Sequence, residues 1–275
     1  MKLIRLATVA VLTSTIFAGG AQAFAGERHS DTTDNKVTFE AGGGEVDIEP
    51  PVEYPPVDIE DPNPASGPFT ISHVPKTFDF GTNQISLSDE YYYMAAELEN
   101  ATEDSEYEGK VPYVSFAQVI DTRGIPDSNW ALTLSLTEFT NEDGRDLRGA
   151  QLELILPEVR LHQSENTELF PVAHTNGTSD EGDLSLLLEA DGSVLPVMTA
   201  VSGQGQGRSS IHWGDSEHMM AQYHDEEHTG PVLNEAIRLH IPASAIPDTS
   251  TYEATLTWVL SSTVSPDGET GGTED

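Results

Sequence analysis

Apolar and polar positions alternate along SNWALTLSLTEF, residues 128–139 of the chain. Trp130, Leu132, Leu134 and Leu136 share one parity, and Ala131, Thr133, Ser135 and Thr137 share the other. A period of two marks a half-buried strand, because successive side chains leave a strand on opposite faces. The pattern returns near residue 258 in YEATLTWVLSS, where Tyr252, Ala254, Leu256, Trp258 and Leu260 share a parity. Each stretch holds a Trp, one intervening residue and a Leu, so each predicts a strand with an indole beside an isobutyl group on one face. Two of the chain's three tryptophans are used this way.

Shorter runs of the same kind surround these two. PFTISHVP, KTFDFGTNQISL (Phe78 and Phe80 alternating), EYYYMAAE, VPYVSFAQVID and AQLELILPEVRL (Leu152, Leu154, Leu156) read as strands. AIRLHIPA, with Ile237, Leu239 and Ile241, reads likewise, and DLSLLLEADGSVLPVMTAV predicts a hairpin turning at Asp191-Gly192. Residues 215–228 predict a loop or short helix. Many short strands separated by turn residues predict an all-β domain over residues 67–264, a β-sandwich of mostly antiparallel strands.

The flanks differ. Residues 1–23 read as a signal peptide, with Lys2 and Arg5, an apolar run from Leu6 to Ala18, and Ala21-Gln22-Ala23 before the cut. That run is shorter than the roughly 20 residues of a spanning helix, so an exported protein is expected. Residues 24–66 are acidic and proline-rich and predict a disordered segment and linker. Within them KVTFEAG (36–42) has strand chemistry suited to pairing with the main domain. Residues 265–275 predict a disordered tail.

Composition narrows the function. The chain has no cysteine, which removes disulfide scaffolds, cysteine nucleophiles and thiolate metal sites. Its formal charge is −35; without Lys2 and Arg5 ten basic residues face 47 acidic ones, giving −37. Nucleic acid is therefore excluded as a partner, since phosphate binding rests on Lys and Arg.

Candidate chemistry is sparse. IHWGDSEHMMAQYHDEEHTG carries His212, His218, His224 and His228 among carboxylates. His224 and His228 stand four apart, a metal-ligand spacing on a helix. Asp225 occupies the place where a zinc hydrolase needs Glu, so a solvated histidine-rich loop, or one that senses pH, is the expectation. NEDGRD (141–146) reads as a polar turn rather than a calcium loop, and GQGQG (203–207) lacks the Lys and helix start of a phosphate loop. No catalytic residue, metal or cofactor is assigned. For the tryptophans two readings stand: core residues with indole N–H groups bonded to backbone carbonyls, or an exposed contact surface.

The chain resembles the WxL surface proteins of Gram-positive bacteria. The likeness rests on VTFEAG, the linker ending DPNP, GPFTISHVPKTFDFGTNQIS, Trp130-Ala131-Leu132 followed by LRGAQLELILP, and IPASAIPDTSTYEATLTW running into Trp258-Val259-Leu260. The resemblance implies an exported, cell-surface protein that attaches non-covalently to the cell wall by binding peptidoglycan. It implies other surface proteins as partners, including a membrane-anchored one, and in some members a host-matrix ligand. Trp130, Leu132, Trp258 and Leu260 are the binding-motif residues that carry over. With no LPxTG-like signal, basic hydrophobic tail or lipobox cysteine read in the chain, attachment by contacts alone is expected. An adhesin for host matrix and a secreted metal-dependent hydrolase are the alternatives.

Overall fold

The computed structural model describes residues 37–60 and 64–262. The chain divides into two units, residues 1–39 and 40–275. Of the first, only residues 37–39 are described; they have no regular structure, and Val37 and Phe39 are exposed. The expected signal peptide and C-terminal tail lie outside the described residues.

The second unit is built from strands. In chain order they are β1 (Val57–Asp58), β2 (Phe69–His73), β3 (Glu90–Ala95), β4 (Glu97–Ala101), β5 (Lys110–Tyr113) and β6 (Ser115–Asp121). Next come β7 (Trp130–Leu136), β8 (Gln151–Ile155), β9 (Glu158–Leu161), β10 (Val172–Ala173) and β11 (Gly177–Thr178). β12 (Leu184–Glu189), β13 (Val194–Ala200), β14 (Gly207–Trp213), helix α1 (Ser216–His224), β15 (Leu233–Ile241) and β16 (Leu256–Ser262) complete the series.

The β-rich, antiparallel expectation holds, but the sandwich does not. The strands form four sheets, ordered β1-β4-β5, β2-β6-β14-β9, β11-β12-β8-β15-β3 and β10-β13-β7-β16, set as a propeller-like ring. A sandwich encloses its core between the inner faces of two sheets. Here one apolar cluster takes Leu132 and Leu134 from β7, Leu152 and Leu154 from β8, and Ala117 and Val119 from β6, which belong to three different sheets. A second cluster joins Phe116 of β6 to Val111 and Tyr113 of β5 and to Met219 and Met220 of α1. Every residue of β6 is buried, because both of its faces are covered.

Three local expectations also change. Asp191-Gly192 does make a turn, with Gly192 at φ 82°, but β12 pairs with β8 and β11 while β13 pairs with β7 and β10. The turn carries the chain between sheets, and Gly192 N donates to Leu136 O at 2.8 Å. Phe78 and Phe80 pack partly buried on the main cluster from an irregular segment. Leu156 lies past the end of β8 at φ 49° and is exposed.

The acidic segment is no free linker over residues 42–58. Gly42 N donates to Thr122 O at 3.0 Å, although residues 37–42 of this stretch form no strand. Gln118 Nε2 donates to Glu49 O at 2.7 Å, Arg160 Nη1 to Pro51 O at 2.8 Å, and Tyr113 Oη to Val52 O at 2.6 Å. Arg208 pairs with the Glu49 carboxylate and donates to Asp47 O at 3.0 Å. A proline-rich stretch leaves its carbonyls unpaired within the segment, and side chains from β5, β6, β9 and β14 supply the donors.

Candidate functional site

The two Trp strands are hydrogen-bonded neighbours. β16 runs antiparallel to β7, with Leu260 opposite Leu132, Trp258 opposite Leu134 and Ser262 opposite Trp130. Trp130, Leu132, Trp258 and Leu260 therefore project from one face of one sheet, the face turned to the main cluster. The strands differ in depth. Trp130 is 3% exposed and Leu132 fully buried, whereas Trp258 and Leu260 are half-buried. β7 lies inside its sheet, and β16 is an edge strand with β7 as its sole strand neighbour among the described residues.

Two side groups hold this arrangement. Trp258 leans on Trp213 at the end of β14, the ring centroids 6.3 Å apart and the planes at 50°. Trp213, the third tryptophan, is 1% exposed; its parity with Ser209 and Ile211 was the sequence signal for it. Trp130 rests against the loop before β14. A Cβ on Gly205 would lie 2.7 Å from Trp130 Cζ2, and Gly205 has φ 64°, so the GQGQG segment needs glycine there on both counts. Trp130 Nε1 and Trp213 Nε1 are buried without a hydrogen-bond partner among the described residues. For Trp130 the expected indole-to-carbonyl bond is therefore absent, and the Trp130 and Trp213 rings are held by packing. Ser262 fastens the far end, donating to Asn129 O and accepting from Arg123 Nη1, each at 2.8 Å. Arg123 is itself buried in an ion pair with Asp121 at 2.7 Å.

The opposite face of the sheet has a different character. Across β16, β7 and β13 its residues fall into register as Thr257–Ser135–Val194, then Val259–Thr133–Pro196, then Ser261–Ala131–Thr199. The result is a grid of hydroxyls and methyls, with Val259 and Val194 49% and 64% exposed. No residue in the four strands of this sheet is charged. The other three sheets all contain charged strand residues, among them Asp58, Lys110, Glu153 and Arg160.

The histidine segment is split. α1 ends at His224, capped by Asp215 at its start and Asp225 at its close, so His228 falls beyond the helix and shares no helical face with His224. His228 Nε2 instead lies 3.2 Å from Pro231 O. No group of three potential ligands suited to a metal occurs among the described residues. NEDGRD is a closed polar turn in which Asn141 Oδ1 accepts from the backbone N–H of Asp143 and Arg145.

Titratable groups concentrate under the acidic segment. His162 Nδ1 lies 3.2 Å from Glu49 and its Nε2 2.7 Å from Ser210 Oγ. Burial pushes His162 below its ordinary value against the pull of Glu49. Burial opposes ionisation of Glu49, but bonds from His162 and Arg208 outweigh it and hold the carboxyl below its usual range. Burial, reinforced by Arg160, pushes His212 down to about 4.

A family model described as WxL domain, surface cell wall-binding, matches residues 26–263. No curated protein and no solved structure matches the chain.

Proposed function

The chain belongs to the WxL domain surface cell wall-binding family, and from that premise we propose that it attaches non-covalently to peptidoglycan as one component of a surface complex. Its location is the cell surface, in association with the wall. It acts by binding rather than by catalysis, and a membrane-anchored surface protein is its expected companion.

The observation that carries this reading is the pairing of the two Trp-x-Leu strands in one sheet. Their burial favours a framing role for the motif. Trp130 and Leu132 hold the sheet against the core, while Trp258 and Leu260 close its edge. An interior indole row makes the sheet rigid, and a rigid face loses little entropy when it binds a polymer.

The test is to incubate the chain, freed of residues 1–23, with purified sacculi and to sediment them. Co-sedimentation that 6 M guanidinium reverses, with no wall fragments released, is the expected result. Release of soluble wall fragments would instead make the protein a hydrolase, and failure to sediment would end the wall-binding reading. Capture of a surface protein from a native extract would support the complex.

A further inference from the structure

The chain carries 47 acidic residues against 12 basic ones, and a Gram-positive wall is itself rich in phosphate and carboxylate. Contact through an average patch of this surface would set like charges against each other and strip their water, both unfavourable. The sheet β10-β13-β7-β16 is the one whose strands carry no charge at all. At the chain's average of 21% charged residues, about five would be expected there.

We propose that the outward face of this sheet, centred on Thr133, Ser135, Thr257 and Val259, is the docking surface for the glycan strand of peptidoglycan. This rests on the wall-binding reading above. The backbone of that strand is a linear polymer of N-acetylated sugars, uncharged, presenting hydroxyls, amides and methyl groups. The protein face presents the matching groups. Each Ser or Thr hydroxyl offers one donor and two acceptor sites, and rows about 4.8 Å apart across the strands set them out as a flat array. Thr133 Oγ1 already donates to Val259 O at 3.2 Å, which fixes its rotamer and leaves its oxygen to accept. Exposed methyls of Val259 and Val194 cover the carbohydrate C–H surfaces. Anionic wall polymers and charged stem peptides fit this face poorly, because it has no Lys or Arg to pair with them. His174 lies beside it, with Nε2 2.7 Å from Thr199 Oγ1. The Trp-x-Leu motif then serves this face from behind, since its side chains anchor the same strands to the core.

The experiment uses sacculi stripped of anionic polymers, with glycan strands freed of stem peptides as competitor. The double variant Thr133→Glu/Val259→Glu is compared with wild type and with Leu98→Glu/Leu184→Glu, which adds the same charge at exposed positions on two other sheets. The first variant is expected to lose at least tenfold in affinity and the second less than twofold. Free glycan strands should compete with wild type. Tryptophan emission and thermal midpoint verify folding; if the double variant unfolds, Val259→Glu alone, at a half-exposed edge position, carries the test with an expected threefold loss. A folded variant that sediments as wild type does, or glycan strands that fail to compete, overturns the assignment and leaves wall binding intact. Retained wall binding with lost capture of a surface protein also overturns it, by making the face a protein-docking surface. Wild type that fails to sediment removes both readings.

Discussion

Two of the four sheets solve opposite problems with strands of similar length. The β10-β13-β7-β16 sheet puts apolar side chains inward and uncharged hydroxyls outward, and it contains no ion pair. The β2-β6-β14-β9 sheet is covered on both sides, and its second face holds Gln118, Ser210, His212 and Arg208 under the acidic segment. The first depends on area removed from water, about 25 cal/mol per Å². The second depends on hydrogen bonds and ion pairs to the polar groups it buries, although Arg208 Nε, Ser209 Oγ and His212 Nδ1 find no partner among the described residues. The lesson is that charge is unevenly placed: ion pairs help fasten residues 47–53, while the strands that bear the face assigned to the wall carry none.

The largest test of this contrast is Trp130→Ala. It empties a fully packed site and should cost about 3–5 kcal/mol in denaturant unfolding. Trp258→Ala, at the half-buried edge, should cost roughly 1–2 kcal/mol. Equal losses would mean that β16 is as deeply embedded as β7.

Acid should act on the other sheet. His212 falls from an ordinary 6.5 to about 4 in the folded chain. The unfolded chain therefore binds more protons between those values, and stability present above pH 6.5 is lost as pH falls toward 4. His162 and Glu49, both lowered, act in the same direction, while half-buried Glu97, whose carboxyl is raised by desolvation, opposes it. From His212 alone the loss is about 3 kcal/mol, and His212→Gln should flatten the pH profile. An unchanged slope in that variant would remove His212 as its source. Wall affinity should move the other way, rising with acid or calcium as carboxylate repulsion is reduced.

An effect comparable to that of Trp258→Ala is expected of Gly205→Ala, about 1–3 kcal/mol, because the new methyl meets the Trp130 ring and the backbone is left-handed there. A shift in Trp130 emission should accompany it. Unaltered emission would mean that the loop gives way instead of the indole.

The paired motif was legible before any coordinates because a period of two is a local property: WALTLSL shows its buried face directly. The same holds for Ile237, Leu239 and Ile241, which lie buried in β15. What failed was non-local. Asp191-Gly192 carries the chemistry of a hairpin turn, yet the partners of the flanking strands come from residues 130–136 and 151–155. The acidic segment has the composition of a free linker, and its partners Gln118, Arg160 and Arg208 lie 69 to 161 positions away. The uncharged grid was present in the letters of β7, β13 and β16, but only the register shows that Thr257, Ser135 and Val194 stand in one line. Trp213 sits in a stretch dominated by histidines and carboxylates, and only the assembled sheets show it buried against Trp258.

One of the two neighbours of β7, the strand β16, comes from the far C-terminal part of the described chain, pairing Ser262 with Trp130. Closing so long a loop is slow compared with forming a local ribbon, so the β7–β16 pair is expected to form late in folding. On the proposed docking assignment, the face that meets the glycan is completed only once residues 256–262 have paired with β7.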